Sequence, residues 1–262
     1  VNIGVLRYGT SNIEYFKITR GKIPIYSVDA SYMMDSITGF IKISRFASTT
    51  YKEFDEALKK LSKLGMKQLV LDLRGNPGGF LDAAIDISDE FLPKGKMIVY
   101  TQGKNRPRQN SIASEKGNFE KQKLVILIDE NSASASEIVA GAIQDNDRGI
   151  IIGRRSFGKG LVQEQSEFRD GSAIRLTIAR YYTPLGRSIQ KSYKNGYAAY
   201  QHEIEDRLNG GELTSRSAKI KDSLQRTTAF VTAAGKKVFG GGGIQPDVYV
   251  KLDTNGYNRF YA

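Results

Sequence analysis

The sequence has no cysteine, no tryptophan and a single histidine among its 262 residues. The missing cysteines exclude disulfides, thiolate nucleophiles and cysteine-based zinc sites. A multi-histidine metal site is excluded as well, and a Ser-His-Asp triad would have to use His202. No apolar run approaches the ~20 residues that a helix needs to cross a bilayer. A serine enzyme with this sequence would therefore take its base from His202 or from a lysine.

What the sequence has in excess is positive charge: 39 Lys and Arg stand against 28 Asp and Glu, for a net charge of +11. Such a balance favours nucleic acid or an anionic surface as a partner. The densest group of basic residues lies between Lys94 and Lys123, outside every motif discussed below. We therefore interpret it as surface charge that faces an anionic surface, and we expect no nucleic-acid partner.

The order of apolar and polar segments predicts an α/β fold. Gln68–Leu73 and Leu124–Ile128 are typical of buried strands, and Thr50–Leu64, Leu81–Leu92 and Ser136–Gln144 have helical spacing. Apolar strands that alternate with helices indicate a sheet covered by helices.

One segment fits a phosphate-binding loop, since Gly153–Lys159 matches the pattern G-x-x-x-x-G-K. Gly160 replaces the Ser or Thr that would hold magnesium, and no obvious helix follows to bind phosphate at its N-terminus. The acidic strand also comes before the loop instead of after it. A nucleotide-binding protein is therefore a remote alternative.

A serine lies where an apolar strand passes into a helix. Ser134-x-x-Glu137 is a capping box, which needs no catalytic explanation. Such a turn also leaves backbone N–H groups free to stabilise an oxyanion. His202 lies in a polar segment typical of a solvated surface, so the alternative base is a lysine made neutral by burial. Lys159, which two glycines flank, is the best candidate.

Five sequence motifs indicate the function more specifically. They are LVLDLRGNPGG from Leu69, NSASASEIVAGAIQD from Asn131, GRRSFGKGLVQ from Gly153, TPLGRSIQ from Thr183 and GGGGIQPDVYV from Gly240. In order and spacing they resemble the C-terminal processing peptidases, a family of tail-specific serine peptidases that use a Ser/Lys dyad. The resemblance covers about residues 30–190 and 228–250.

The resemblance implies Ser134 as the nucleophile, Lys159 as the general base and Gln163 as the residue that orients the lysine. Four residues along a straight strand span about 13 Å, which is beyond hydrogen-bond reach. Gly158 and Gly160 would allow the chain to bend between them. We therefore expect this segment to be irregular in the active form and straighter in an inactive one.

The chemistry that the resemblance implies is acyl transfer. Its oxyanion hole would use the amide of Ala135 and one amide from Gly78 or Gly79. Neither a metal nor a nucleotide cofactor takes part, so we expect activity to survive chelators.

The resemblance also implies an acid at Asp145 that matters for activity. If Ser134 to Asp145 is one helix, the two residues lie about 16 Å apart. Asp145 then cannot be the triad acid of Ser134. We interpret it as structural, with Arg148 as its partner.

The implied fold is a ClpP/crotonase-like repeated ββα core with an additional small β-rich cap region. Relatives carry a PDZ domain that binds substrate C-termini at a sheet edge, and only residues 1–10 resemble the end of one. Because the sequence opens in a strand pattern with no initiator methionine or signal peptide, we expect a piece of a longer protein. We assign 11–190 to the catalytic core with its cap strands, 191–227 to a polar, charged insertion and 228–262 to a C-terminal β segment that returns to the core.

The implied function is that of a serine endopeptidase that cleaves near the C-terminal tails of unstructured or misfolded envelope proteins. Its substrates would have apolar C-termini, and its setting would be the bacterial periplasm, at the membrane surface and as a homodimer. The alternative is a non-catalytic peptide-binding or scaffold relative. The joint presence of Ser134, Lys159 and Gln163 favours the enzyme.

Overall fold

The computed structural model describes residues 1–21, 25–115, 117–215 and 228–253. Within these ranges the chain forms fourteen strands and four helices. In chain order they are β1 (Asn2–Leu6), β2 (Ile13–Lys17), β3 (Val28–Met33), β4 (Thr38–Ile43), α1 (Thr50–Lys63), β5 (Gln68–Asp72), α2 (Leu81–Asp89), β6 (Met97–Gln102), β7 (Gln109–Ile112), β8 (Lys123–Ile128), α3 (Ala135–Asp145), β9 (Ile150–Gly153), β10 (Leu161–Glu167), β11 (Ala173–Tyr182), α4 (Gly196–Asn209), β12 (Ala229–Val231), β13 (Lys237–Phe239) and β14 (Val248–Tyr249). The predicted mixed α/β class is confirmed.

A six-stranded sheet in the order β14-β9-β8-β5-β4-β3 lies at the centre of the fold. All its strands are parallel except β3, which runs antiparallel to β4. Its core positions, among them Ile41, Leu71 and Ile126, are fully buried, as the apolar sequence of these strands predicts. Asp72 at the end of β5 pairs with Leu127 near the end of β8. The loops that follow these two strands therefore begin side by side, which brings the RGNPGG and NSASAS motifs together.

The three predicted helices are confirmed, with shifts only at their ends. Helix α1 stops at Lys63, followed by Gly65 in the left-handed region at φ 94°. Helix α2 ends at Asp89 instead of Leu92, because Phe91 and Leu92 turn into the core and are fully buried. Helix α3 is buried along its whole length, its polar residues Ser136, Glu137, Gln144 and Asp145 included, so it packs inside the protein.

A second, antiparallel sheet in the order β10-β11-β6-β7 carries the segment that follows Lys159. Within the described residues β10 is an edge strand of this sheet. Its pairing with β11 contains a register shift between Val162 and Gln163.

The segments outside the core are partly described. β1 and β2 form an exposed hairpin, and α4 lies in the segment predicted as an insertion. β14 pairs with β9 at the edge of the central sheet. Residues 216–227 of the insertion and 254–262 of the C-terminal segment lie outside the described residues. None of the described helices has the length and apolar character needed to cross a membrane.

Candidate active site

Ser134 lies at the turn from β8 into α3, and its backbone is strained. Its φ of 56° is in the left-handed region, which a residue with a side chain rarely adopts. Contacts with the loop after β5 hold the turn: the Ala133 N–H donates to the Asn76 carbonyl at 2.9 Å, and Ser136 Oγ donates to the same oxygen at 3.0 Å. Asn76 is fully buried and donates from Nδ2 to the Ile43 carbonyl at 2.9 Å. The loops after two neighbouring strands thus fix the serine.

The glycines of the RGNPGG motif allow this close contact. A Cβ on Gly78 would lie 2.6 Å from the Ala133 carbonyl oxygen and 2.7 Å from Ser134 Cβ. A Cβ on Gly79, at φ 150°, would lie 1.9 Å from the Phe46 carbonyl oxygen. Any larger residue at either position would push the loop away from the serine turn.

Some of the backbone N–H groups near Ser134 have a hydrogen-bond acceptor and others do not. The Gly78 N–H donates to Asn76 Oδ1 at 2.8 Å. In the parallel β-bridge between Phe46 and Gly79, the Phe46 N–H donates to the Gly78 carbonyl and the Phe80 N–H donates to the Phe46 carbonyl. Because the Gly79 N–H belongs to the same peptide group as the Gly78 carbonyl, it points away from Phe46. In the described part of the chain neither the Gly79 N–H nor the Ala135 N–H has an acceptor. Of the two glycines predicted as alternatives, Gly79 is the one with a free amide.

Lys159 lies in the irregular loop between β9 and β10, and its half-buried side chain lines the same cleft as Ser134. Tyr181 on β11 is buried beside both residues. Its hydroxyl donates to the Lys159 carbonyl, and its ring lines the same cleft as Ser134. Among the residues that the structure describes, no carboxylate forms an ion pair with Lys159. The lysine therefore shares the cleft with the serine and has no counter-ion among the described residues.

Glu137 joins the serine turn to the lysine loop. Its fully buried carboxylate accepts from the N–H of Ser134 at 2.8 Å and from the N–H of Lys159 at 2.8 Å. The Gly158 N–H at 2.7 Å and Ser156 Oγ at 2.5 Å complete a set of four donors. Burial raises the pKa of Glu137 to about 7, while the four donors act in the opposite direction.

The sequence predicted only the capping contact of Glu137 with Ser134. The capping-box spacing identifies a partner three residues away, but no local pattern reveals the three donors that lie about twenty residues further along the chain. The connecting role of Glu137 was therefore missed.

Gln163 lies on β10, with its side chain in the same cleft as Lys159. Lys159 precedes the strand, so the two residues do not lie on one straight strand, in line with the expected irregular segment. No hydrogen bond joins their side chains within the described residues. The role of Gln163 in orienting the lysine stays a prediction.

These residues line one cleft of about 690 Å³. It brings together six predicted site residues: Gly78, Gly79, Ser134, Ala135, Lys159 and Gln163. Its other walls are largely apolar, with Phe46, Phe80 and Ile138 among them. An extended peptide with apolar side chains is the kind of molecule that such a cleft fits.

Two alternatives from the sequence fit this geometry poorly. Gly153–Lys159 is followed by strand β10, so no helix N-terminus stands behind it to bind phosphate. His202 is exposed on α4, outside the cleft, and its Nδ1 contacts Glu205 at 2.9 Å. Neither a phosphate loop nor a histidine base is supported.

Comparison with known proteins decides the family. Residues 37–196 match the model of peptidase family S41. This chain belongs to peptidase family S41. A carboxyl-terminal-processing protease of Synechocystis is 40% identical over 195 residues, which are 73% of this chain and 45% of that protein. The carboxy-terminal processing protease CtpA of Bacillus subtilis is 39% identical over 73% of this chain and 40% of its own length.

Solved structures agree with this S41 assignment. A photosystem II D1 C-terminal processing protease has a TM-score of 0.61 and 27% identity, over 92% of this chain and 52% of that one. The S41 chain thus spans about half the length of the relatives that it matches.

A segment that follows the family match holds the lysine loop of this S41 member. Arg207 on α4 donates to the carbonyls of Arg155 at 2.6 Å and Ser156 at 3.3 Å. The Arg155 guanidinium in turn donates to Glu212 at 2.7 Å and Glu203 at 3.0 Å. This buried charge network anchors the start of the loop that carries the lysine, although α4 begins only at the end of the matched range.

Asp145 lies away from the cleft, in a buried ion pair. Its Oδ1 accepts from the Arg187 guanidinium at 2.5 Å, and both side chains are fully buried. Its Oδ2 accepts from the Leu185 N–H at 3.0 Å. The expected pairing with Arg148 is wrong, because Arg148 donates to the carbonyls of Phe91 and Phe119. Arg187, in the TPLGRSIQ motif, reaches the acid because β11 returns the chain to α3.

Replacing Asp145 by asparagine is expected to lower the free energy of unfolding by about 3–5 kcal/mol, since it leaves a buried guanidinium without its counter-charge. Urea unfolding followed by circular dichroism measures the loss. Asp55→Asn is the matched control, because Asp55 pairs with the exposed Lys59 on α1 and such a solvent-screened pair should contribute far less to stability. A loss below about 1 kcal/mol for Asp145→Asn would contradict the structural role.

Proposed function

We propose that this chain is the catalytic core of a serine endopeptidase that hydrolyses peptide bonds near the C-terminal tails of unstructured or misfolded proteins. The observation that carries the proposal is the shared cleft of Ser134 and Lys159, whose backbone amides are both bound by Glu137. The names of the S41 relatives support the same activity.

In the proposed mechanism, neutral Lys159 accepts the Ser134 hydroxyl proton while Oγ attacks the peptide carbonyl carbon. The free N–H groups of Gly79 and Ala135 stabilise the negative oxygen of the tetrahedral intermediate. The lysine then returns its proton to the leaving amine, and water hydrolyses the acyl-enzyme. Gln163 orients the lysine during these steps.

The proposal also covers the fold family, the cellular location, the oligomeric state and the substrate tails. The core is a ClpP/crotonase-like arrangement of ββα units, and residues 1–10 are the end of a PDZ domain. The peptidase acts in the bacterial periplasm, at the membrane surface, as a homodimer on apolar C-terminal tails. The apolar wall of the cleft supports the last of these points.

Digestion of casein, an unstructured protein, tests the proposal. The unchanged chain should digest it, and Ser134→Ala should reduce digestion to the background rate. Ser62→Ala on α1, whose hydroxyl donates to the Leu58 carbonyl, should digest it like the unchanged chain. Equal digestion by Ser134→Ala would exclude the serine, and no digestion by any form would favour the non-catalytic scaffold.

A further inference from the structure

One charged residue of the cleft has no part in the proposed chemistry. Arg175 on β11 lines the cleft beyond Gln163, on the face of the β10–β11 hairpin that Gln163 and Gln165 share. Its guanidinium donates to Gln165 Oε1 at 2.9 Å, and Gln165 is its direct cross-strand neighbour. Both side chains are exposed, and the contact with the glutamine occupies one donor of the guanidinium and leaves the others open to the cleft.

The charged side chains that line the cleft are all positive. Its lining residues include two cations, Lys159 and Arg175, and no aspartate or glutamate. Glu167, the next acid on the same face of β10, forms no ion pair with Arg175, nor does any other described carboxylate. A guanidinium without a counter-ion, held at the wall of a peptide-sized cleft, is a binding group for a carboxylate.

The distance along the strand sets where that carboxylate would lie. From Lys159 to Gln165 an extended chain spans about 20 Å at most, at roughly 3.3 Å per residue. A peptide that follows β10 from the serine would therefore bring a group up to about six residues from the cleaved bond to Arg175. Because β10 is an edge strand within the described residues, its backbone groups are open to a peptide in this orientation.

We infer that Arg175 is a specificity-determining residue that binds a carboxylate of the substrate peptide within about six residues of the cleaved bond. The inference rests on the proposed peptidase function, but Arg175 only binds the carboxylate and takes no part in cleavage. The carboxylate comes either from the peptide's C-terminus or from an acidic side chain near it. Binding and cleavage can therefore be measured apart.

Binding is measured with Ser134→Ala, which lacks the nucleophile and cannot cleave the peptide. The readout is the fluorescence anisotropy of a labelled apolar peptide in three forms. One form has a free C-terminal carboxylate, one has a C-terminal amide, and one has a C-terminal amide with glutamate as its last residue. We expect the free acid to bind about tenfold more tightly than the amide. The glutamate form decides whether a side-chain carboxylate is accepted as well.

Adding Arg175→Gln to Ser134→Ala should bring the ratio of the dissociation constants of acid and amide close to one, with the amide bound as before. Arg169→Gln, the same change of charge at the exposed turn of the hairpin, should keep the tenfold ratio. Equal binding of all three peptides, or an unchanged ratio in the Arg175→Gln form, would overturn the inference.

The chain with Ser134 intact is given the same peptides in parallel. Cleavage without a carboxylate preference in binding would reject the role of Arg175 and leave the peptidase function standing. A carboxylate preference without cleavage would reject the peptidase function and leave Arg175 as a binding residue. The two failures are thus distinguishable.

Discussion

Lys159→Met is expected to lower kcat/KM for casein by about a thousandfold or more, at unchanged thermal stability. A general base contributes roughly 10²–10⁴ to the rate, and a serine hydroxyl is a poor nucleophile without one. Lys159 is the one amine of the cleft wall beside Ser134, and no described carboxylate pairs with it. Its loss leaves the cleft without a proton acceptor for the serine.

Lys159→Arg distinguishes a residue that acts as a general base from one that contributes only its positive charge. Arginine keeps the positive charge and most of the length, but its guanidinium stays protonated in proteins because its pKa is above about 12. We therefore expect Lys159→Arg to be as inactive as Lys159→Met, while Lys59→Met on the exposed face of α1 stays active. Activity of Lys159→Arg within tenfold of the unchanged chain would contradict the general-base assignment.

Glu137→Gln is expected to lower kcat/KM by about a hundredfold, or ~2.7 kcal/mol, in a chain that still folds. Glutamine has one acceptor oxygen, so its NH₂ group would face two of the four donors that the carboxylate now binds. One pair of donors would lose its acceptor, either the N–H groups of Ser134 and Lys159 or the Gly158 N–H with Ser156 Oγ, and a misplacement of about 1 Å costs roughly this much. The unsatisfied buried donors should also lower the free energy of unfolding, by about 1–3 kcal/mol each.

The pH dependence of stability provides a second test of Glu137. Burial raises its pKa from the ordinary value of 4.5 to about 7. The folded chain therefore holds a proton that the unfolded chain has released over this interval. The stabilisation is fully present below pH 4.5 and is lost as the pH rises through 7.

Glu137→Gln should remove this component from the dependence of Tm on pH between 4.5 and 7, whereas Glu56→Gln on the exposed face of α1 should retain it. Identical profiles for Glu137→Gln and the unchanged chain would contradict the burial of an ionisable carboxyl at this position.

The sequence was sufficient for the parts of the site that depend on local pattern. Apolar strands and helical spacing predicted the sheet and helices α1 to α3, because each pattern reports which face of an element is buried. The motif resemblance named Ser134, Lys159 and Gln163, and the structure places all three in one cleft.

What the sequence could not predict depends on contacts between distant segments. The choice between Gly78 and Gly79 follows from the orientation of peptide groups, which the bridge to Phe46 sets. The partner of Asp145 could not be read locally: Arg148 is close in sequence, whereas Arg187 reaches the acid only through the return of β11. The anchoring of the lysine loop by α4 lies in a segment whose weak helical pattern predicted only a polar insertion.

The most direct test of the Ser134–Lys159 pair is reaction with a fluorophosphonate, followed by mass spectrometry of the proteolysed chain. We predict one adduct, on Ser134, and none in Ser134→Ala. The same adduct should form at least about a hundredfold more slowly in Lys159→Met. An adduct on another residue, or labelling of Ser134 at the same rate without Lys159, would contradict the proposed dyad.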